Sequence, residues 1–320
     1  MLDGEFDIDD ILNQDIFDDI NTELEVELMD EEFLSDDYML SSGQALNENE
    51  LYQLTARTKT RIIYVLGPVG SGKTTFESML YAFFLKNIDQ NLLFAGSETL
   101  VGFEERLNYL RTKSGNSNAQ MERTNKNERR CFLHLNLLDL RLNCYHNIVF
   151  SDISGETFEN CNSNRSNMEQ DLPYLDMAQN VVLFMDGENL LDNSERQGSV
   201  MKIKSFLKTF KSSKFYNKKP NIDIIISKND IIYERTRQES NDFIDHIKEQ
   251  FNAFYEDFSI NFYRIEAING TSIKDDEKST KLIDLLKCWI LNSSDETTES
   301  DYSKESKMIH NDFNRFGERY

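Results

Sequence analysis

The stretch "GPVGSGKTT", Gly67 to Thr75, constrains this chain more than any other: it holds three of the thirteen glycines and follows directly on the β-branched and aromatic run "RIIYVL". The spacing G-x-x-x-x-G-K-T suits a strand that breaks into a loop whose backbone N–H groups turn inward around phosphate oxygens. Side chains would obstruct that approach, so glycine is needed. The next residues, "TTFESMLYAFFL", place Phe76, Met79, Leu80, Phe83 and Phe84 at helical spacing. The start of that helix adds its positive end to the site. In this reading Gly67, Val69, Gly70, Ser71, Gly72, Lys73, Thr74 and Thr75 cradle a nucleotide's phosphates. Lys73 sets a cation against the outer ones, and Thr74 ligates Mg²⁺.

The net charge of −22 points away from a nucleic-acid surface once it is mapped. Residues 1–56 carry eighteen Asp or Glu and no Lys or Arg, which leaves 39 acids against 35 bases in the remaining chain. The acidity is a segment and the body is nearly balanced; neither is the clustered basic footprint that phosphate backbones require. Cysteines 131, 144, 161 and 288 form no C-x-x-C pair and the four histidines are scattered, so reduced thiols are expected rather than disulfides or a zinc site. No apolar run approaches the roughly 18 residues of a membrane span, and the N-terminus lacks a signal-peptide pattern. A cytoplasmic protein with no membrane contact is the expectation.

Three regions follow. Residues 1–56 mix acids with Ile8, Leu12, Ile16, Ile20, Leu24 and Leu28 at near-helical spacing. Two readings stay open for them: a largely disordered, solvated tail, or an amphipathic segment that folds on a partner protein's basic, apolar groove. Residues 57–292 alternate strand-like and helix-like segments, the pattern of an α/β, three-layer fold with helices on both faces of a mostly parallel sheet. Six strands are expected, at "IIYVL", "CFLHLNLLDL", "NIVFSDI", "NVVLFMD", "IDIIIS" and "NFYRIEA", with helices at 74–86, near 171–180, and at 195–211, 238–256 and 279–291. The connector "RLNCYHN" is too short for a crossover, so one strand runs antiparallel, at an edge of the sheet. Residues 87–130 form an insert with a helical stripe of Leu100, Phe103, Leu107 and Leu110, and 293–320 are a polar tail.

Two further motifs narrow the nucleotide. "VFSDISGETF" ends an apolar strand in Asp152, with Gly155 three residues on: an acid there can hold Mg²⁺ through water, and the glycine lets a backbone N–H approach the γ-phosphate. "IDIIISKND" runs a buried-type strand into Ser227, Lys228, Asn229 and Asp230. The Asp230 carboxylate can accept from guanine N1–H and its exocyclic amine while the Lys228 stem lies along the base; adenine offers no such donor pair.

The order G-x-x-x-x-G-K-T, D-x-x-G, S-K-x-D resembles the Ras-like P-loop GTPases, of the TRAFAC type, over residues 60–290. More narrowly, "GPVGSGKTTF", "FAGSETLVGFEERL", "ERTNKN", "FLHL" and "DISGETF" are similar to the double-GTPase domains of the second type, found in bacterial conflict and defence systems. The resemblance implies a regulatory GTPase that binds GTP or GDP with Mg²⁺ and works with protein partners, through the acidic segment, a GTPase-dependent dimer or a partner GTPase. By this resemblance Gly155 senses the γ-phosphate, Thr124 in the insert closes over Mg²⁺, and the backbone of Ala267 touches the guanine oxygen. Arg123 is either a finger in cis or an ordinary exposed arginine. Departures are Ser227 for the usual Asn or Thr, "EAI" for S-A-K, and Glu156 where relatives carry a glutamine that orients the attacking water. A carboxylate cannot donate to the γ-phosphate, so slow turnover is expected, with Lys73, Gly155, Glu156 and Arg123 as the catalytic set. A nucleotide-bound scaffold without useful hydrolysis, and a P-loop ATPase, are the alternatives.

Overall fold

The computed structural model describes residues 41–86, 89, 91–110, 131–236, 239–254, 258–266 and 276–291. The chain separates into a unit of residues 1–41 and a body from Ser42 onward. Helix α1 (Glu48–Arg57) belongs to the body, ahead of the boundary expected at residue 57. A capping box starts it: Asn47 Oδ1 accepts from the N–H groups of Asn49 and Glu50, and Glu50 Oε2 accepts from Asn47 N–H at 2.8 Å. Leu51 is fully buried, and Leu46 pairs with Phe132 of the sheet.

The sheet has seven strands: β1 (Thr60–Leu66), β2 (Leu92–Gly96), β3 (Cys131–Asp139), β4 (Cys144–Asp152), β5 (Asn180–Asp186), β6 (Asn221–Ser227) and β7 (Ile260–Arg264), in the order β2-β3-β4-β1-β5-β6-β7. Parallel pairing joins β4, β1, β5, β6 and β7, while β3 runs antiparallel to both β4 and β2. The six expected strands are all present. The seventh, β2, lies in the insert and takes the sheet edge, so the antiparallel strand β3 is interior rather than at the edge. Only Leu92 of β2 is buried, and its short apolar run, LLFAG, shows no in-and-out alternation that would mark it as a strand.

Strand alternation divides the core. Ile62, Tyr64 and Leu66 of β1 face one apolar layer, and Ile63 and Val65 face the other. The first layer is covered by α1, α4 (Gly155–Cys161), α5 (Arg165–Asp171), α7 (Asn193–Ser212) and α9 (Glu239–Phe254); the second by α2 (Lys73–Leu85), α3 (Leu100–Leu110) and α10 (Asp276–Leu291). Short α6 (Gly187–Leu191) and α8 (Asn229–Thr236) follow β5 and β6. The helix expected near 171–180 sits earlier, as α5, because Asn164 caps its start and Pro173 ends it; a single 3₁₀ turn, Leu175–Met177, follows. No described helix is long and apolar enough to cross a membrane.

This topology sends the carboxyl ends of β1, β4, β5, β6 and β7 to one rim. In open α/β sheets, ligands bind at that rim.

Candidate nucleotide-binding site

Strand β1 ends at Leu66, and the loop that follows takes backbone conformations few side chains allow: φ is +77° at Gly70 and +87° at Gly72. A Cβ at Gly70 would meet nothing within 4 Å, so the glycine there serves the left-handed turn and leaves the inner side of the loop open. Helices α1, α4, α5, α6 and α7 start on capping side chains, Asn47, Ser154, Asn164, Asp186 and Asp192. Helix α2 starts on Gly72 with no side-chain cap, which leaves its first N–H groups to the loop's interior. Ser71 Oγ donates back to Pro68 O at 2.8 Å and braces the turn, while Val69 is exposed at its tip.

Lys73 is buried, and its ammonium donates to Gly67 O at 2.9 Å and Pro68 O at 3.0 Å. It thus folds over the loop's own carbonyls, on the spot where an anion's oxygens would replace them. Burial pushes its pKa down to about 8, against the opposing charges of Asp152 and Glu77.

The D-x-x-G segment lies against this loop. A Cβ on Gly155 would come within 2.3 Å of Val69 N and 2.7 Å of Pro68 C, so only glycine fits between the two segments. Ser154 Oγ accepts from Thr157 N–H and starts α4 at that point, with Glu156 in its first turn. The S-K-N-D turn lies on the other flank: a Cβ on Gly72 would touch Ser227 Cβ at 3.7 Å. Three motifs separated by about 150 residues in sequence therefore share one loop.

The S-K-N-D turn is itself tied in place. Lys228 has φ +50°, a left-handed backbone, and its ammonium binds Asp186 Oδ2 at 2.7 Å and Glu188 Oε2 at 3.4 Å. Burial opposes that charge, but the two carboxylates outweigh it and raise the Lys228 pKa. Asn229 N–H donates to Ile265 O, its Nδ2 donates to Glu266, and its Oδ1 accepts from Arg264 Nε at 2.6 Å. The end of β7 is thereby fastened beside Asp230, in the first turn of α8. Ala267, Arg123 and Thr124 lie outside the described residues.

Asp152, at the end of β4, is bound through one carboxylate oxygen by a residue of the insert. Arg106 of α3 donates to Asp152 Oδ2 from Nε at 2.8 Å and from Nη2 at 2.7 Å, and from Nη1 to Gly102 O at 2.9 Å. Both side chains are buried. Burial works against the guanidinium's charge, yet Asp152 more than compensates and its pKa is raised.

The family model of Double-GTPase 2 matches residues 61–289. The chain belongs to the Double-GTPase 2 family. GTP binding comes with that membership, and the glycine loop, with its uncapped helix start and inward lysine, is a cradle of the right chemistry for the phosphates. No curated protein matches the chain. Among solved structures, the bacterial selenocysteine-specific elongation factor EF-Sec is similar at 16% identity and a TM-score of 0.34, over 71% of this chain and 29% of that one. The signal recognition particle receptor SRb-GTP/SRX complex from Chaetomium thermophilum is similar at 14% identity and a TM-score of 0.36, over 66% of this chain and 93% of that one.

In this Double-GTPase 2 member three charged residues stand beside the site without a role read from the sequence: Arg106, Glu77 and Asp186. Arg106 gives no local signal, since its partner is 46 residues away. Glu77 does give one, as the single charged residue in the mostly apolar helix run "FESMLYAFFL". Asp186 ends the strand "NVVLFMD", where a terminal acid is usual as the cap of the following turn.

Proposed function

We propose that this protein is a GTP-binding, slowly hydrolysing regulatory switch that acts in the cytoplasm as part of a bacterial defence or conflict system. The observation that carries the reading is the packing of Gly155 and Ser227 against opposite sides of the same glycine loop. That packing supports a reading in which the glycine loop cradles the phosphates, Gly155 contacts the γ-phosphate and the S-K-N-D turn reads the base. In it, Gly67 to Thr75 hold the phosphates and Lys73 leaves the loop carbonyls for the outer phosphate oxygens. Asp230 reads guanine beside a Lys228 whose ammonium is already tied to Asp186.

The Thr74 hydroxyl, in the first turn of α2, and the Asp152 carboxylate, at the end of β4, are the hard oxygen donors that Mg²⁺ takes. When bound, the ion would neutralise charge on the phosphates. Thr124 would join that set from the insert, Ala267 would complete the base pocket through its backbone, and Arg123 would supply a cation in cis. Glu156 can accept from water but has no proton for the γ-phosphate, which supports slow turnover. Protein partners would sense the nucleotide state, through the acidic N-terminal segment or through a second GTPase.

A competition titration tests the reading: a fluorescent guanine nucleotide with Mg²⁺ is displaced by unlabelled GTP, GDP or ATP. Displacement by GTP and GDP but not ATP is expected. Equal displacement by ATP would overturn the assignment of Asp230 and favour an ATPase. Turnover of GTP in the same protein then separates the switch from its alternative, which Glu156 favours: binding with no hydrolysis above background would make the domain a nucleotide-bound scaffold.

A further inference from the structure

Glu77, in the second turn of α2, is buried, and neither of its carboxylate oxygens has a hydrogen-bond partner among the described residues. Such a group is costly unless a donor can reach it, and an orphaned buried acid in a native fold calls for a physical reason. Its surroundings hold both charges: Asp152 acts on it as a like charge, Arg106 and Lys73 as opposite ones, and burial itself drives its carboxyl well above the ordinary range.

Helix packing sets Arg106 level with it. Tyr81 of α2 stacks on Phe103 of α3 with ring centroids 4.8 Å apart, and Tyr81 Oη donates to Glu104 Oε1 at 3.0 Å. Glu77 lies four residues before Tyr81 and Arg106 three after Phe103, so each is roughly 5 Å nearer the loop end of its helix than that contact. The guanidinium thus has two acids at its height: Asp152, which it holds, and Glu77, which has no donor. Asp152 is also the acid that would hold Mg²⁺ through water, and its Oδ2, already accepting two short charged hydrogen bonds from Arg106, has no lone pair left for that water.

Building on the guanine nucleotide reading above, we propose that Arg106 gates the Mg²⁺ position: it occupies Asp152 while no nucleotide is bound and transfers to Glu77 when Mg²⁺ and nucleotide arrive. Glu77 is then the receiving seat, a buried carboxylate with two acceptor oxygens that no described donor occupies. Because Arg106 sits on α3, release of Asp152 would also pass the nucleotide state to the insert.

The test is a Mg²⁺ titration of fluorescent-GDP binding in full-length wild type, Arg106→Gln, Glu77→Gln and the double variant, with affinity in excess EDTA as the reference. Removal of the competing guanidinium should lower the Mg²⁺ midpoint about tenfold, equivalent to about 1.4 kcal/mol, with EDTA affinity within about twofold of wild type. Glu77→Gln should raise the midpoint, since an amide accepts at one atom only and turns a donor towards the guanidinium. In the double variant the effect of Glu77→Gln should vanish, because no arginine is left to receive. A midpoint that Arg106→Gln leaves unchanged, or a Glu77→Gln effect that persists without Arg106, overturns the gate. Should Arg106→Gln fail to fold by circular dichroism, Arg106→Lys, which cannot fork two nitrogens onto one oxygen, must still lower the midpoint. Should no variant, wild type included, bind guanine nucleotide at any Mg²⁺ concentration, the nucleotide reading fails and the gate with it.

Discussion

Replacing Gly155 by alanine adds one methyl group at the place where two motifs touch. The new carbon would stand 2.3 Å from Val69 N, 2.6 Å from Val69 Cα and 2.7 Å from Pro68 C, all backbone atoms of the phosphate loop. Ordinary contact begins near 3.5 Å, so about 1 Å of separation must be found between the loop and the start of α4. Neither side gives easily: Ser71 and Lys73 pin the loop to Pro68, and Ser154 pins the helix start. Overpacking of this kind costs about 1–3 kcal/mol, or a fall in melting temperature of about 2–4 °C per kcal/mol for a domain of this size. The larger effect should be on binding, because hydrogen bonds of 2.7–3.2 Å from loop N–H groups to phosphate do not survive a shift of about 1 Å. We expect nucleotide affinity to fall at least tenfold by fluorescent-nucleotide titration, with folding retained by circular dichroism. Gly198→Ala is the control. A Cβ there meets nothing within 4 Å inside helix α7, so it should stabilise slightly, by about 0.5–1 kcal/mol, and leave affinity unchanged. If Gly155→Ala bound nucleotide as tightly as Gly198→Ala, the contact between the two motifs would not be a constraint, and the placement of Gly155 at the γ-phosphate would lose its support.

Three more expectations come from single contacts. Gly187→Ala would place a Cβ 2.2 Å from Ser227 O, so it should displace the S-K-N-D turn. The competition titration should show GTP losing its advantage over ATP, with phosphate binding kept. Lys73 titrates at about 8 because burial disfavours its charge, whereas phosphate favours the charged form. Nucleotide affinity should therefore be level up to about pH 7 and fall about fourfold by pH 8.5; a flat profile in the same titration would contradict this. His134 is buried, with Nδ1 accepting from Glu98 N–H at 3.0 Å, and burial holds its pKa below the usual 6.5. Below pH 6.5 the unfolded chain gains a proton that the folded one refuses, so stability is lost as pH falls from there. Urea unfolding at pH 7 and pH 5.5 should show a smaller pH difference in His134→Asn than in wild type.

Legibility in the sequence tracked how local the physics was. The glycine loop could be read because its turn, its open interior and its helix start all depend on residue types at fixed offsets, and α2 follows from the stripe Phe76, Met79, Leu80, Phe83 and Phe84, all buried as the period demands. The strand ends at Asp152 and Ser227 followed from apolar runs that stop at a polar residue, and the packing of Gly72 on Ser227 ties two of those readings to one place. Strand β2 was not legible, because an edge strand with one buried residue carries no alternation. The partner of Asp152 was not legible either: nothing in "GFEERLNYL" distinguishes an arginine that returns to β4 from one on a solvated helix face. Ala267, Arg123 and Thr124 rested on resemblance alone and lie outside the described residues.

The fold nonetheless restricts where the insert can act. Residues 111–130, which contain Arg123 and Thr124, leave the described body one turn beyond Arg106 and re-enter it at Cys131. Cys131 is the residue paired with Asp152 across β3 and β4, and Arg106 is bonded to that same aspartate. Both ends of the segment are therefore anchored within a few residues of one carboxylate at the rim that holds the glycine loop. Antiparallel pairing sets the start of β3, at Cys131, beside Asp152 at the rim that holds the glycine loop, whereas a parallel β3 would begin at the opposite rim. The reversed strand and the arginine on α3 are two parts of one arrangement, in which the start of β3 and the last turns of α3 both meet the carboxylate that ends β4.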